Sequence, residues 1–327
     1  MSSSTEPRPG GNRATLVALV ALALFCGALV AVQTRINGQL GADVGDGFIA
    51  AVISFGSGLV VVTIVLAVSR RGRAGIGVVT RAVRAGELPW WHTAGGLGGA
   101  LFVLSQGLYA GALGVALFTV AVVAGQTISG LVIDSRGIGA IPARAITVTR
   151  VVGAIVSLVA VVLAILPQLS GHFQVLVTIL PFIVGLLLGV QQALNGQVKT
   201  LAGSAITATF FNFAYGTALL LVFAIINLIV AGVPHGFPTN PIYYAGGLIG
   251  VIFIAGNARV VPIIGVLLQS LAAVSGQLVM AVVLDLVAPS DDGGVTIATV
   301  GGAVLTLIAV AITVIPSRVI AGKARAR

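Results

Sequence analysis

The chain has 327 residues, of which 58% are hydrophobic and only 8% charged, and its mean hydropathy is +1.15. Such a composition lacks the polar surface needed to cover a water-soluble globule of this length, which excludes a soluble protein and makes lipid the solvent. The net charge of +9 does not point to nucleic acid, because the basic residues lie in short loops between apolar runs, where retention on the cytoplasmic side accounts for them.

Residues 1–13 form a polar tail carrying Arg8 and Arg13. The apolar run that follows has no small-residue cleavage site and reads as a retained first helix. The single cysteine, Cys26, lies within it, so an intrachain disulfide is excluded. A helical crossing needs about 20 apolar residues. Ten runs meet this requirement: 14–32, 48–68, 90–109, 114–133 and 146–166 in a first half spanning 14–168, then 175–194, 205–231, 242–256, 263–284 and 295–315 in a second half spanning 169–316. Residues 317–327 are a basic tail ending Lys323-Ala-Arg-Ala-Arg, read as a retention signal or a contact with lipid headgroups.

With the N-terminus in the cytoplasm, only Arg35 of the seventeen basic residues falls outside. Asp43, Asp46, Asp285, Asp291 and Asp292 fall outside as well, which agrees but weighs less. The expected protein is multi-pass in the plasma (inner) membrane, with both termini cytoplasmic. Five crossings per half is an odd number, so the second half enters the bilayer in the opposite sense. The expected fold class is an all-α polytopic membrane protein with ten transmembrane helices arranged as two inverted five-helix repeats.

The chain repeats itself. Gln33-Thr34-Arg35-Ile36-Asn37-Gly38-Gln39-Leu40 returns as Gln191-Gln192-Ala193-Leu194-Asn195-Gly196-Gln197-Val198, a shift of 158 positions (195 − 37). Gly125-Gln126 with Asp134 returns as Gly276-Gln277 with Asp285, both shifted by 151 (277 − 126 and 285 − 134). Polar signatures at the ends of apolar runs, once per half, are the mark of a duplicated transporter. Gly95-Gly96-Leu97-Gly98-Gly99 and its echo Gly246-Gly247-Leu248-Ile249-Gly250 permit close helix approach. We read this as packing within one chain, with a homodimer interface as the alternative. Trp90, Trp91, Tyr243 and Tyr244 begin the same helices and are expected to anchor them at the headgroup layer.

These residues carry a family likeness. Ten runs in two halves, Asn-Gly-Gln ending the first helix of each half, and Gly-Gln with a later Asp in the fourth resemble the drug/metabolite transporter superfamily, and within it the YdcZ-like branch of inner-membrane exporters in its fused two-repeat form. The resemblance implies that helices one, three, four, six, eight and nine line a central cavity, and that transport runs outward.

Gln33 and Asn37 are four residues apart and share a helix face, as do Gln191 and Asn195. An unsatisfied amide in hydrocarbon costs several kcal/mol, so each must meet a partner or a polar cavity. One reading makes them substrate-binding groups, assisted by backbone freed where Asn-Gly interrupts the helix. The other makes them helix caps and interhelical hydrogen bonds. Gln126 and Gln277 lie about 12 Å along the helix from Asp134 and Asp285 and are expected to face the cavity. Gln106 and Tyr109 join the substrate-binding candidates, Gln106 more weakly, as do Asn257 and Gln269; Ser105 adds a second cavity hydroxyl beside Tyr109, while Asn212 is expected to bond a neighbouring helix.

Asp134 and Asp285 are read as gate carboxylates at helix ends within reach of water, Asp134 pairing with Arg136 or Arg144, with proton coupling as the alternative. No Asp, Glu or His occupies the middle of an expected helix, which argues against a simple proton relay. Arg35 either neutralises Asp43 or Asp46, or meets an anionic solute group at the outer mouth, acting at the gate.

The leading function is a secondary transporter of a small neutral, zwitterionic or amphipathic metabolite by alternating access, with a passive channel for small polar solutes as the alternative. An enzyme is not expected. His92, His172 and His235 sit near interfaces, and the sequence has neither a Gly-x-Ser-x-Gly element, a metal-binding His pair nor a phosphate loop. The expected partners are the substrate and the lipid bilayer, with no nucleic acid, no cofactor and no metal.

Overall fold

A computed structural model of the chain describes residues 13–113, 115–137, 143–165, 179–234, 236–287, 297–315 and 319–321. Among these are eleven α-helices: α1 (Arg13–Val44), α2 (Gly47–Val68), α3 (Arg70–Arg84), α4 (Gly96–Leu113), α5 (Val115–Arg136), α6 (Val148–Ile165), α7 (Ile179–Ala202), α8 (Ala205–Ala231), α9 (Gly246–Ile264), α10 (Val266–Val287) and α11 (Ile297–Val314). Helices dominate because a backbone in hydrocarbon has no water to bond and must satisfy itself within the segment. Six described stretches are long and apolar enough to cross a bilayer: α1, α2, α7, α8, Pro241–Ile264 and Val266–Leu284. Shorter apolar stretches lie in α4, α6 and α11. Large aliphatic side chains such as Val60, Ile64, Ile229 and Val230 stand exposed on the bundle surface, as lipid-facing positions should. The chain is an all-α membrane protein.

Three features depart from the sequence expectation. The basic run after α2 is not a loop. It forms α3, capped by the Ser69 hydroxyl, which accepts from Gly72 N at 3.0 Å. Gly72, Gly75, Val79 and Ala82 pack inward at helical spacing while Arg70, Arg71, Arg73, Arg81 and Arg84 stay at the surface. Second, Asn37-Gly38 and Asn195-Gly196 do not interrupt their helices: α1 continues to Val44 and α7 to Ala202. The backbone there stays hydrogen-bonded along the helix, so neither asparagine acts as a cap. Third, Trp90, Trp91, Tyr243 and Tyr244 sit on short 3-10 turns, Trp90–Thr93 and Pro241–Tyr244, that precede α4 and α9 rather than forming their first turns.

The two halves hold each other through reciprocal contacts. A Cβ on Gly27 in α1 would overlap the carbonyl oxygen of Ala273 in α10, and one on Gly276 would overlap that of Leu24. The α5–α7 crossing repeats this with Gly125 against Phe182 and Gly185 against Val122. Gly27 corresponds to Gly185 by the shift of 158, and Gly125 to Gly276 by the shift of 151. The Phe55 ring of α2 packs on the Phe213 ring of α8, centroids 5.1 Å apart at 44°. These two phenylalanines are also 158 positions apart (213 − 55). Each presses on the other's helical glycine, Phe213 on Gly58 and Phe55 on Gly216. At the end of the bundle that holds Asp134, Ile146–Thr147 pairs antiparallel with Val319–Ala321 and ties the C-terminal segment to the loop before α6.

Candidate functional site

A cavity of about 50 Å³ lies where α1, α4, α5, α7, α9 and α10 converge. These are the first, third, fourth, sixth, eighth and ninth of the expected crossings, the set implied by the family resemblance. Its polar wall comprises Thr34, Gln106 and Gln126 from the first half and Gln191, Gln192, Asn195, Asn257 and Gln277 from the second. Most of these are equivalents under the duplication: Gln126 with Gln277, Gln106 with Asn257, and Thr34 with Gln192. The apolar wall includes Phe102 and its equivalent Phe253.

Several of the amides are held by separate hydrogen bonds. Gln106 Nε2 donates to Thr34 Oγ1 at 2.9 Å. Gln269 Nε2 donates to Asn257 Oδ1 at 2.6 Å, and Ser270 Oγ to Gln192 Oε1 at 3.0 Å. Gln191 Nε2 and Asn195 Nδ2 both donate to Asn212 Oδ1, at 2.9 and 2.8 Å, so Asn212 bonds a neighbouring helix, α7, as expected. Gln191 Oε1, an acceptor, and Asn257 Nδ2, a donor, are buried without a partner in the described structure. Gln269 itself does not line the cavity and acts by orienting Asn257.

Gln33 and Asn37 lie elsewhere. Gln33 Nε2 donates to Gly246 O at 2.7 Å, joining α1 to the start of α9. Asn37 is buried beneath Gly246, where a Cβ would overlap its Oδ1, and neither polar atom of its side chain has a hydrogen-bond partner in the described structure. The equivalent contact, Asn195 Oδ1 beneath Gly95, leaves 3.0 Å to a Cβ. Ser105 is buried, but its hydroxyl bonds its own helix at Phe102 O. The side chains of Tyr109 and Asp285 lie outside the described residues, as do His172 and His235. Thr34 and Gln192 are cavity residues that sequence reasoning passed over. The signal was present, since both positions are polar and aligned by the same shift that singled out Gln33 and Gln191.

Asp134, expected within reach of water, is fully buried. Its Oδ1 accepts from Val266 N at 2.9 Å and its Oδ2 from Leu267 N at 3.2 Å, so the carboxylate of α5 caps the N-terminus of α10. Oδ2 also pairs with Arg150 of α6, not with Arg136 or Arg144. Arg144 contributes through its backbone, whose N–H donates to Asp134 O at 2.6 Å, while its guanidinium donates to Ile263 O. Burial pushes the Arg144 pKa down, Asp134 opposes the shift and Arg150 adds to it. Gly265, at φ +89°, sits against this cluster, and a Cβ there would come within 2.6 Å of Asp134 Oδ2.

Arg35 Nη1 donates to Leu284 O at 3.3 Å in α10. Asp46 instead caps α2, accepting from Phe48 N and Ile49 N, and takes Asn227 Nδ2 at 2.9 Å. Asp43 takes Gln39 Nε2 at 2.8 Å. Near the C-terminal end of α7, His92 lies edge-on to Trp91. The described residues hold no group of three or more His, Cys, Asp or Glu side chains placed to bind a metal.

Comparison with known proteins supports the duplication. The family model described as "Putative inner membrane exporter, YdcZ" matches twice, over residues 18–163 and 176–312. A search of curated proteins found no match. One solved structure, described only as a crystal structure of protein, superposes with a TM-score of 0.61 at 15% identity, covering 93% of this chain and 97% of its own, which speaks to the fold alone. The chain therefore belongs to the YdcZ family of inner-membrane exporters, as a fused two-repeat, multi-pass membrane transporter.

Proposed function

We propose that the protein is a secondary transporter that carries a small neutral, zwitterionic or amphipathic metabolite out of the cell by alternating access. In this reading ten helices cross the plasma membrane as two inverted five-helix repeats, with both termini and the arginine-rich α3 in the cytoplasm. The observation that carries it is the central cavity, whose polar groups come from both halves in equivalent pairs. Inverted halves can exchange conformations, which opens one site to either side in turn.

The chemistry of the wall supports the substrate class. Among the described residues it offers carboxamides and a hydroxyl but no charged side chain. A multiply charged phosphate would call for arginine or lysine, whereas the free acceptor of Gln191 and free donor of Asn257 suit a solute bearing both a donor and an acceptor. Gln106, Gln126, Gln191, Gln192, Asn195 and Gln277 are the proposed binding groups, and Gln33 and Asn37 support the α1–α9 contact. Asp134 is the proposed cytoplasmic gate, with Asp285 and Arg35 at the outer one. A cavity of about 50 Å³ has room for a few waters, which supports a local binding site over a continuous pore.

The test is efflux and counterflow of a labelled metabolite library in proteoliposomes, with Gln126→Ala and Gln277→Ala beside the parent. Saturable counterflow that both variants lose while remaining monodisperse supports a carrier with its site at this cavity. Flux that never saturates and shows no counterflow supports a channel instead and overturns the proposal.

A further inference from the structure

A second cavity, far larger than the central one at about 420 Å³, opens at the basic end of the bundle. Its wall carries Arg71 from the first turn of α3, Lys199 and Thr200 from the last turn of α7, Ser204 at the start of α8, and Arg259 from α9. Among the described residues three cations and no carboxylate line it. Among the described residues no hydrogen bond or ion pair engages the charged groups of Arg71, Lys199 or Arg259, although Arg73 and Arg81 on the same helix both reach carbonyl oxygens. Arg71 leans over the α7–α8 turn, where a Cβ on Gly203 would lie 3.7 Å from its Nη2.

The duplication supplies a comparison. Ser204 caps α8 where its equivalent under the shift of 158, Asp46, caps α2. At α2 the protein provides its own negative charge for the helix N-terminus. At α8 it provides a neutral hydroxyl, already accepting from Thr207 N, and surrounds it with three cations. Like charges gathered around one cavity repel, and an anion within it relieves that repulsion.

The geometry points to a second ligand site, distinct from the transport cavity, that takes a phosphate-bearing group. Guanidinium forks match phosphate oxygens in pairs, lysine adds a point charge, and the Thr200 hydroxyl adds a donor. The volume exceeds what inorganic phosphate fills and suits a phosphorylated headgroup or a phosphorylated solute. Because the cations come from α3, α7 and α9, an occupant bridges the two halves of the molecule at this end. The site does not depend on the identity of the transported solute.

The two sources of phosphate separate in one experiment on the full-length protein. Thermal unfolding is followed in phosphatidylcholine nanodiscs with and without phosphatidylglycerol, and in neutral detergent titrated with pyrophosphate, for the parent, Arg71→Gln, Lys199→Gln, Arg259→Gln and Arg84→Gln. All four substitutions remove one charge, but Arg84 lies on α3 outside the cavity. The proposal expects stabilisation by at least one probe, half-saturation weakened about tenfold or more by each charge-removing cavity substitution, parent-like behaviour for Arg84→Gln, and for Arg71→Lys, which keeps the charge but loses the fork, a loss smaller than that of Arg71→Gln. Response to phosphatidylglycerol alone identifies a lipid headgroup, and response to pyrophosphate alone a soluble phosphate. Stabilisation by neither probe, or equal loss in Arg84→Gln, overturns the site.

Discussion

Replacing Asp134 by asparagine is the sharpest probe of the α5–α10 latch. The carboxylate accepts two backbone N–H bonds from the start of α10 and pairs with Arg150, all from a fully buried position. Asparagine keeps one acceptor oxygen but turns an NH₂ toward either a backbone donor or a guanidinium. It also leaves Arg150, only 13% exposed, without its counter-charge. Breaking one side of a buried pair costs about 3–5 kcal/mol, and the lost charge-assisted backbone bond accounts for about 1.5–3 kcal/mol of that. Arg150→Gln alone also breaks the pair, whereas the double variant removes both charges and recovers part of the loss. A double-mutant cycle on thermal unfolding in detergent measures the difference, expected as a coupling of about 1–3 kcal/mol. Additive losses within about 0.5 kcal/mol would refute the latch.

Other outcomes follow from the packing. Gly27→Ala and Gly185→Ala each force a methyl into a carbonyl oxygen of the crossing helix and should destabilise by about 1–3 kcal/mol, while Gly38→Ala, with no neighbour within 4 Å, should stabilise α1 by about 0.5–1 kcal/mol. Thermal unfolding of the three variants checks the contrast, and equal effects would contradict it. Asn212→Leu removes the acceptor shared by Gln191 and Asn195 and should cost about 1–3 kcal/mol for each amide left unsatisfied, with counterflow weakened in parallel. Phe213→Ala empties a fully buried ring position between the halves and should cost about 3–5 kcal/mol, more than any exposed aromatic such as Trp90.

Much of this architecture was legible in the sequence, because lipid imposes long apolar runs and a duplication marks the same polar positions twice. The shift of 151 that pairs Gln126 with Gln277 finds two cavity residues without any structure. Other features depend on information that spacing does not carry. The α3 helix hides in a basic run because only four small or aliphatic residues mark its buried face. Asn37 and Asn195 look like helix breaks in isolation, yet both helices continue through them, and Gly196 packs within reach of Pro262 while its chain stays helical. The burial of Asp134 could not be read from its place at a helix end, since its ligands are backbone N–H groups 132 and 133 positions away and an arginine across a loop. The bond from Arg35 to Leu284 O in α10 likewise spans 249 positions and leaves no mark in local spacing.

The central claim is that one cavity opens to each side of the membrane in turn. The most direct measurement places a single cysteine there, Gln126→Cys with Cys26→Ala, and follows labelling by a membrane-impermeant maleimide in right-side-out and inverted vesicles. The account predicts labelling from both sides, with a disulfide engineered between Ile133→Cys and Val266→Cys at the Asp134 latch abolishing it from the α3 side alone. Labelling confined to one side in the uncrosslinked protein, or a latch crosslink that changes neither side, would contradict alternating access.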